Sequence, residues 1–385
     1  MRTLTMNSSK GEHEADSAIN TQSTMNTIIY DGEAPKMIHK AVPTLMKGNI
    51  LVKIHAAGVN PVDAKKVFGD KLPNYGPFQS FLKYAVRSCC PGFDFSGVVH
   101  QVPTGEECPY RIGDKVFGTV PPFTGTFCEY QNVPLDQVHY MPSTLTFVQA
   151  AAVPLTGLTC LQSFALGSVD SNSHVLVIGA SGGTGHFAVQ YAKRYLNVKR
   201  VVGICGTRNV EWAKELGADH VIDYKDEKWQ EHIKQEVEVH GPFTCVLDTV
   251  FSNQAHDQST GYETFLRSFD GGHKLVEGMY LRLGGNPNSW CAAGLKRVLG
   301  INLFGKDSEL FWVRFPRSSE ELRTLKLAVD EHNVKPYISE ALSFNEENVA
   351  RAFELLKGRR TRGKIVLRLI DEVGNENSEE NSLIH

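Results

Sequence analysis

No stretch of about 20 uninterrupted apolar residues occurs in this 385-residue sequence, so no segment is expected to span a membrane as a helix. An excess of charge of either sign is also lacking. Forty Lys and Arg face 43 Asp and Glu, and the formal net charge of −3 argues against a nucleic-acid-binding footprint. The eight cysteines (Cys89, Cys90, Cys108, Cys128, Cys160, Cys205, Cys245, Cys291) form no C-x-x-C pair, and several sit inside apolar runs. They read as buried reduced thiols. A redox pair at Cys89 and Cys90 is the alternative, although adjacent side chains rarely meet disulfide geometry.

What is present is the composition of an ordinary globular protein, 41% hydrophobic and 22% charged, in a chain long enough for two domains with a cleft between them. Residues 1–24 lack an apolar run, and Glu12, Glu14 and Asp16 do not suit an acid-poor transit peptide. They and the polar residues 371–385 are expected to be disordered tails. The cytosol is the default location, with an organelle left open.

From Asn49 the run NILVKIHAAGVN alternates like a half-buried strand, and GFDFSGVVHQV, IGDKVFGTV and GTFCEYQNV continue the strand-and-turn pattern of a partly closed barrel. After Pro142, FVQAAAVPLTGLTCLQSFAL takes helical spacing, with interruptions expected near Pro154 and Gly157. Apolar strands then alternate with helices: HVLVIGA, GHFAVQYAKRYL, RVVGICG, NVEWAKELG, DHVIDY, a charged helix over 227–239, and FTCVLDTV. That alternation predicts a doubly wound parallel sheet.

Between the apolar strand HVLVIGA and the amphipathic helix lies Gly179-Ala180-Ser181-Gly182-Gly183-Thr184-Gly185. Glycines there allow a tight turn and a close backbone approach to a pyrophosphate, and N–H groups at a helix start face the anion. Ala180, Ser181, Gly182, Gly183, Thr184 and Gly185 are therefore candidate dinucleotide-binding residues. About twenty residues on, where NAD sites carry an acidic residue, the chain reads Cys205-Gly206-Thr207-Arg208. Thr207 and Arg208 suit a 2′-phosphate, which favours NADPH over NADH; the alternative for Arg208 is a solvated residue ahead of a helix.

Over roughly residues 25–370 the sequence resembles the zinc-independent quinone oxidoreductase branch of the medium-chain dehydrogenase/reductases. The likeness rests on AAGVNPVDAKKVFG, PGFDFSGVV, YRIGDKVFG followed by GTFCEY, AAAVPLTGLTC, VLVIGASGGTGHFAVQYAK, KELGADHVIDYKDE and GKIVLRL. It implies an α/β fold: a GroES-like β-barrel domain (25–155 and 335–370) plus a doubly wound Rossmann domain with a parallel sheet (156–334). In zinc-dependent relatives the metal takes a Cys, a His and a second Cys or acidic ligand; here those positions read Val59-Asn60 and Phe93-Asp94, and no zinc is expected.

Without a metal, a substrate carbonyl must be polarised by hydrogen-bond donors or a cation. Asn60 and Lys65 are the candidate catalytic residues, since N-P-V-D-A-K is similar to the pattern of plant alkenal and enone reductases, where the lysine helps hold the nicotinamide ribose and the substrate carbonyl. The alternatives are a turn cap for Asn60 and a solvated loop position for Lys65. The resemblance further implies Thr159 beside the nicotinamide, Tyr224 beside the adenosine phosphate, and Arg359 adding charge there. The reading is an NADPH-dependent, zinc-free reductase acting on a quinone or on the C=C bond of an α,β-unsaturated carbonyl compound. Two alternatives stand beside it: a non-catalytic NADPH-binding redox sensor acting through a partner, and an enoyl-thioester reductase, whose tyrosine is poorly matched by Tyr75. The aromatic stretch around 70–90 is expected to cover the cleft, and homodimerisation is a family expectation.

Overall fold

The computed structural model of the chain describes residues 23–30, 34–63, 90–105, 107–121, 124–250, 261–270, 273–284, 308–310 and 318–370. The expectations for Lys65, Tyr75, residues 70–89, residues 1–22 and residues 371–385 fall outside these residues, and Thr24, expected to end the first tail, instead opens a strand.

Strands β1 (Thr24–Tyr30) and β2 (Pro35–Ala41) form an antiparallel hairpin. They lead into β3 (Asn49–Val59), β4 (Asp94–Gln101), β5 (Lys115–Thr119), β6 (Tyr130–Pro134) and β7 (Val138–Tyr140). Ile50, Leu51, Val52, Ile54 and the Ala56–Ala57 pair of β3 are fully buried. This long strand shares one edge between two partners: Asn49–Lys53 pair with β6, and Ala56–Val59 pair with a strand from the far end of the chain.

The chain then forms helices α1 (Phe147–Ala151) and α2 (Pro154–Leu166). α1 opens on a capping box in which the Thr146 hydroxyl accepts from the Gln149 N–H and the Gln149 side chain caps in return. The expected interruption falls at Ala152–Val153, and α2 begins with Pro154, whose missing N–H costs nothing in a first turn. Gly157 is not a break: the helix runs through it.

Next come β8 (His174–Ile178), α3 (Gly185–Gln190), β9 (Arg200–Cys205), α4 (Val210–Glu215), β10 (His220–Asp223), α5 (Trp229–His240) and β11 (Phe243–Asp248). Helix α6 (Gly261–Arg267), a short pairing of β12 (Phe269–Asp270) with β13 (His273–Lys274), β14 (Val276–Arg282) and β15 (Ser308–Leu310) follow. The six strands β10-β9-β8-β11-β14-β15 stand side by side and parallel. Strand order reverses at β8, so the loop leaving β8 opens at the topological switch point, where doubly wound sheets take their ligands. Val175 and Val177 face one apolar cluster, Leu176 and Ile178 the other, as burial on both faces of a parallel sheet demands.

Helix α7 (Ser318–Asp330), β16 (Ile338–Ser343), α8 (Glu346–Lys357) and β17 (Lys364–Arg368) close the chain. Strand β17 returns to the first sheet and pairs antiparallel with β3, Ile365 opposite Val59, within the order β16-β17-β3-β4-β5-β7. The molecule is thus a GroES-like β domain beside a Rossmann domain, and residues 357–364 carry the chain past both.

Candidate functional site

The loop after β8 is shaped by glycine where nothing else fits. A methyl group on Gly185 would lie 2.0 Å from the Gly179 carbonyl oxygen, and Gly179 itself has φ +81°. The N–H groups of Gly179 and Ala180 both donate to Ile204 O at 2.9 Å, which clamps the turn to β9. The sequence-predicted residues sort into two kinds. Ala180 and Gly185 are buried and form the inside of the turn, whereas Ser181, Gly182, Gly183 and Thr184 are partly exposed along its outer run.

Around this loop the structure gathers basic side chains from distant parts of the sequence. The Asn209 amide donates to Ser181 Oγ at 2.9 Å, and Asn209 Oδ1 accepts from Arg362 Nε and Nη2 at 3.2 and 3.1 Å. Arg362 Nη2 also donates to Arg208 O at 3.1 Å, while Arg208 Nη2 donates to Arg360 O at 2.5 Å. The Arg362 guanidinium lies 5.0 Å from the Trp212 ring centroid. Thr207 and Arg208 are exposed on the connection after β9, where no carboxylate stands. Tyr224, 40% exposed, packs its ring against Gly206. Arg359 adopts φ +50° and its Nη1 donates to Val250 O at 3.4 Å. Arg208, Tyr224 and Arg359 are candidates on sequence grounds as well; Arg360 and Arg362 are not, although the basic run Lys357-Gly-Arg-Arg-Thr-Arg-Gly-Lys364 is a signal that could have pointed to them.

At the other end lies a buried polar cluster. Gly58 faces Asp94 across the β3–β4 pairing, and a methyl group on Gly58 would lie 2.3 Å from Ala151 O and 3.0 Å from Asp94 Cβ. The missing side chain lets Asp94 and α1 close on β3. Asn60 follows directly on β3 and Lys364 opens β17, so the antiparallel register sets them opposite one another. Lys364 Nζ donates to Asn60 Oδ1 at 2.5 Å, to Val59 O at 3.3 Å and to Asp94 Oδ2 at 3.4 Å. Asn60 Nδ2 donates to Asp94 Oδ2 at 2.9 Å, and the Asn60 N–H donates to Asp63 Oδ2 at 2.7 Å. The Leu155 N–H, in the first turn of α2, donates to Asp94 Oδ1 at 2.8 Å. Burial raises the Asp94 pKa, and the charge of Lys364 and the donors of Asn60 and Leu155 act against that rise.

Both ends of the Asn60 amide are therefore engaged within the protein. Thr159 is buried one helical turn beyond Leu155, and its hydroxyl donates to Leu155 O at 2.7 Å. Lys364 is the functional candidate that the sequence hides, because there it is one residue of the closing strand motif GKIVLRL. Among the described residues no group of three His, Cys, Asp or Glu side chains is placed to hold a metal ion, no helix is long and apolar enough to cross a membrane, and all six cysteines are free thiols.

Comparison with known proteins matches residues 46–143 to the alcohol dehydrogenase GroES-like domain and residues 216–367 to a family described as zinc-binding dehydrogenase. The chain is 31% identical over 340 residues to the human mitochondrial NAD(P)H oxidoreductase RTN4IP1, covering 83% of this chain and 82% of that protein. It is 27% identical over 335 residues to 2-methylene-furan-3-one reductase of Solanum lycopersicum, 85% of this chain and 73% of the relative. Among solved structures, the quinone oxidoreductase of Coxiella burnetii superimposes with a TM-score of 0.70 at 26% identity, covering 90% of this chain and all of that one.

Proposed function

Since the chain belongs to the medium-chain dehydrogenase/reductase superfamily of oxidoreductases, we propose that it is an NADPH-dependent reductase that transfers hydride to a quinone or to the C=C bond of an α,β-unsaturated carbonyl compound without zinc. A nicotinamide cofactor is the common property of the relatives named NAD(P)H oxidoreductase. The choice of NADPH rests on one observation: Arg208, Arg360 and Arg362 interlock at the rim of the β8 loop, with no carboxylate on the connection after β9. Guanidinium groups match the oxygens of a 2′-phosphate, while an NAD ribose calls for an acidic acceptor.

The residues fit such a cofactor. In the outer run, the Gly182 N–H closes the turn onto Gly179 O, and the backbone N–H groups of Ser181, Gly183 and Thr184 at the start of α3 face a pyrophosphate. Thr207, Arg208, Tyr224 and Arg359 receive the adenosine phosphate end, and Arg362 holds Asn209 and Arg208 in place. Thr159 lies at the nicotinamide end, held by its own helix. The bound cofactor supplies the hydride, and the protein supplies alignment and charge. Lys65, carried over from the resemblance, is the ammonium that steadies the nicotinamide ribose and the substrate carbonyl. Asn60 acts through Lys364 and Asp94 instead of donating to substrate, because its amide is already engaged.

Zinc fits this donor set poorly. Asn60 is a weak ligand, Phe93 is none, and the Asp94 carboxylate already accepts from Leu155, Asn60 and Lys364. The test is NADPH consumption by the purified chain with a panel of quinones and enones, with and without a chelator. Turnover that survives chelation is expected. Tight NADPH binding with no turnover of any acceptor would replace this reading with that of a non-catalytic sensor.

A further inference from the structure

Lys364 enters this reaction scheme only as a partner of Asn60, and its charge is given no part there. Its side chain is 4% exposed, and its three N–H donors meet the three acceptors Val59 O, Asn60 Oδ1 and Asp94 Oδ2. Its stem passes the phosphate loop: a methyl group on Gly183 would lie 3.3 Å from Lys364 Cδ, and the neighbouring Gly363 N–H donates to Ser181 O at 3.1 Å. One side chain therefore runs from the dinucleotide loop to the cluster bonded to α2, the helix that carries Thr159. As an adhesive the pair is a poor choice, since a buried ion pair is often no more stable than an apolar replacement of its own size. Its effect must be sought in what charge does to a neighbour.

The neighbour in question changes charge. An oxidised nicotinamide ring is a cation and the reduced ring is neutral, whereas the phosphates are the same in both. The arginine rim thus grips the two forms alike, and only charges toward the ring end tell them apart. We propose that the buried Lys364–Asp94 pair, bridged by Asn60, sets the relative affinity of the site for oxidised and reduced nicotinamide cofactor, Lys364 opposing the ring cation and Asp94 favouring it. The inference rests on the cofactor half of the proposed function and not on the identity of the acceptor.

Titration of the full chain with NADPH and with NADP⁺, by fluorescence and calorimetry, reads the ratio of the two dissociation constants without any turnover. Removing a buried unit charge is expected to move that ratio by about tenfold, given how weakly a dry site screens. Lys364→Met shifts it toward NADP⁺, Asp94→Asn shifts it toward NADPH, and the double variant returns to within about threefold of the parent. Lys364→Arg keeps the parent ratio. Both single-variant titrations are repeated at about pH 6 and about pH 8. If Lys364→Met does not fold, Asp94→Asn and the double variant decide. A ratio that stays within about twofold of the parent in Asp94→Asn, and in Lys364→Met where that variant folds, overturns the proposal. A parent chain that binds neither form sinks the cofactor reading along with it, while one that binds both but reduces no acceptor leaves the ratio to decide the proposal by itself.

Discussion

The two polar regions built by residues 357–364 differ in what surrounds them. At the rim, Arg208, Arg359 and Arg360 are exposed, and Arg208 and Arg359 donate to the backbone carbonyls of Arg360 and Val250. On the floor, Lys364, Asn60 and Asp94 are 4%, 4% and 0% exposed. Exposed charges contribute little each, add up and fade with salt. A buried pair behaves differently, because removing one partner leaves the other charged, desolvated and alone. One short basic segment thus supplies the exposed guanidinium groups of the proposed phosphate grip on one side and a cooperative lock between β3, β4 and β17 on the other.

The floor is the place to break this contrast, and the largest effect is expected there. Lys364→Met leaves Asp94 without its counter-charge and should cost about 3–5 kcal/mol in urea unfolding. Adding Asp94→Asn should recover more than half of that loss. A cost under about 1 kcal/mol would mean that the floor is as wet as the rim, and the distinction would go.

The rim is far more legible in sequence than the floor. A glycine loop between an apolar strand and an amphipathic helix is a local pattern, and Arg208 lies within one β-α unit of it. The parallel sheet is legible for the same reason, since each unit repeats the alternation from HVLVIGA onward. The floor is non-local: Asn60 and Lys364 are about three hundred positions apart, and only the β3–β17 register sets them opposite. In sequence Asn60 reads as a donor aimed at substrate, whereas the structure occupies its amide on both sides. Side-chain occupancy of this kind depends on which strand comes back, and no local pattern carries that information. Arg360 and Arg362 escape notice for a related reason, since their partners Arg208 and Asn209 lie about 150 positions away.

A support lying between the two regions sharpens the comparison through pH. His186 is fully buried; its Nδ1 faces Gly182 O at 2.9 Å, and its Nε2 accepts from the Tyr337 N–H at 2.9 Å. Those partners fix a neutral ring with the proton on Nδ1. Burial, with the charge of Lys364 adding to it, lowers the His186 pKa from 6.5 to about 4. Between those values the unfolded chain takes up a proton that the folded chain refuses, so stability falls as the pH drops through that window, by about 3 kcal/mol in full. Urea unfolding at neutral pH and near pH 4 measures the loss, and His186→Gln should flatten it. An unchanged slope in that variant would assign the acid sensitivity to other groups.

The smallest effects are expected at the rim, and they divide by how committed each guanidinium is. Arg208→Ala should weaken NADPH binding about tenfold and leave NADH nearly untouched, the difference shrinking in high salt. Arg362 is half-buried, forks onto Asn209 Oδ1 and lies over Trp212, so it orients the site more than it neutralises phosphate. Arg362→Ala should therefore cost only about threefold in NADPH affinity, and high salt should not erase that loss as it does for Arg208. Equal salt sensitivity of the two variants would make Arg362 a phosphate ligand in its own right, and the boundary between grip and lock would then fall between Arg362 and Lys364.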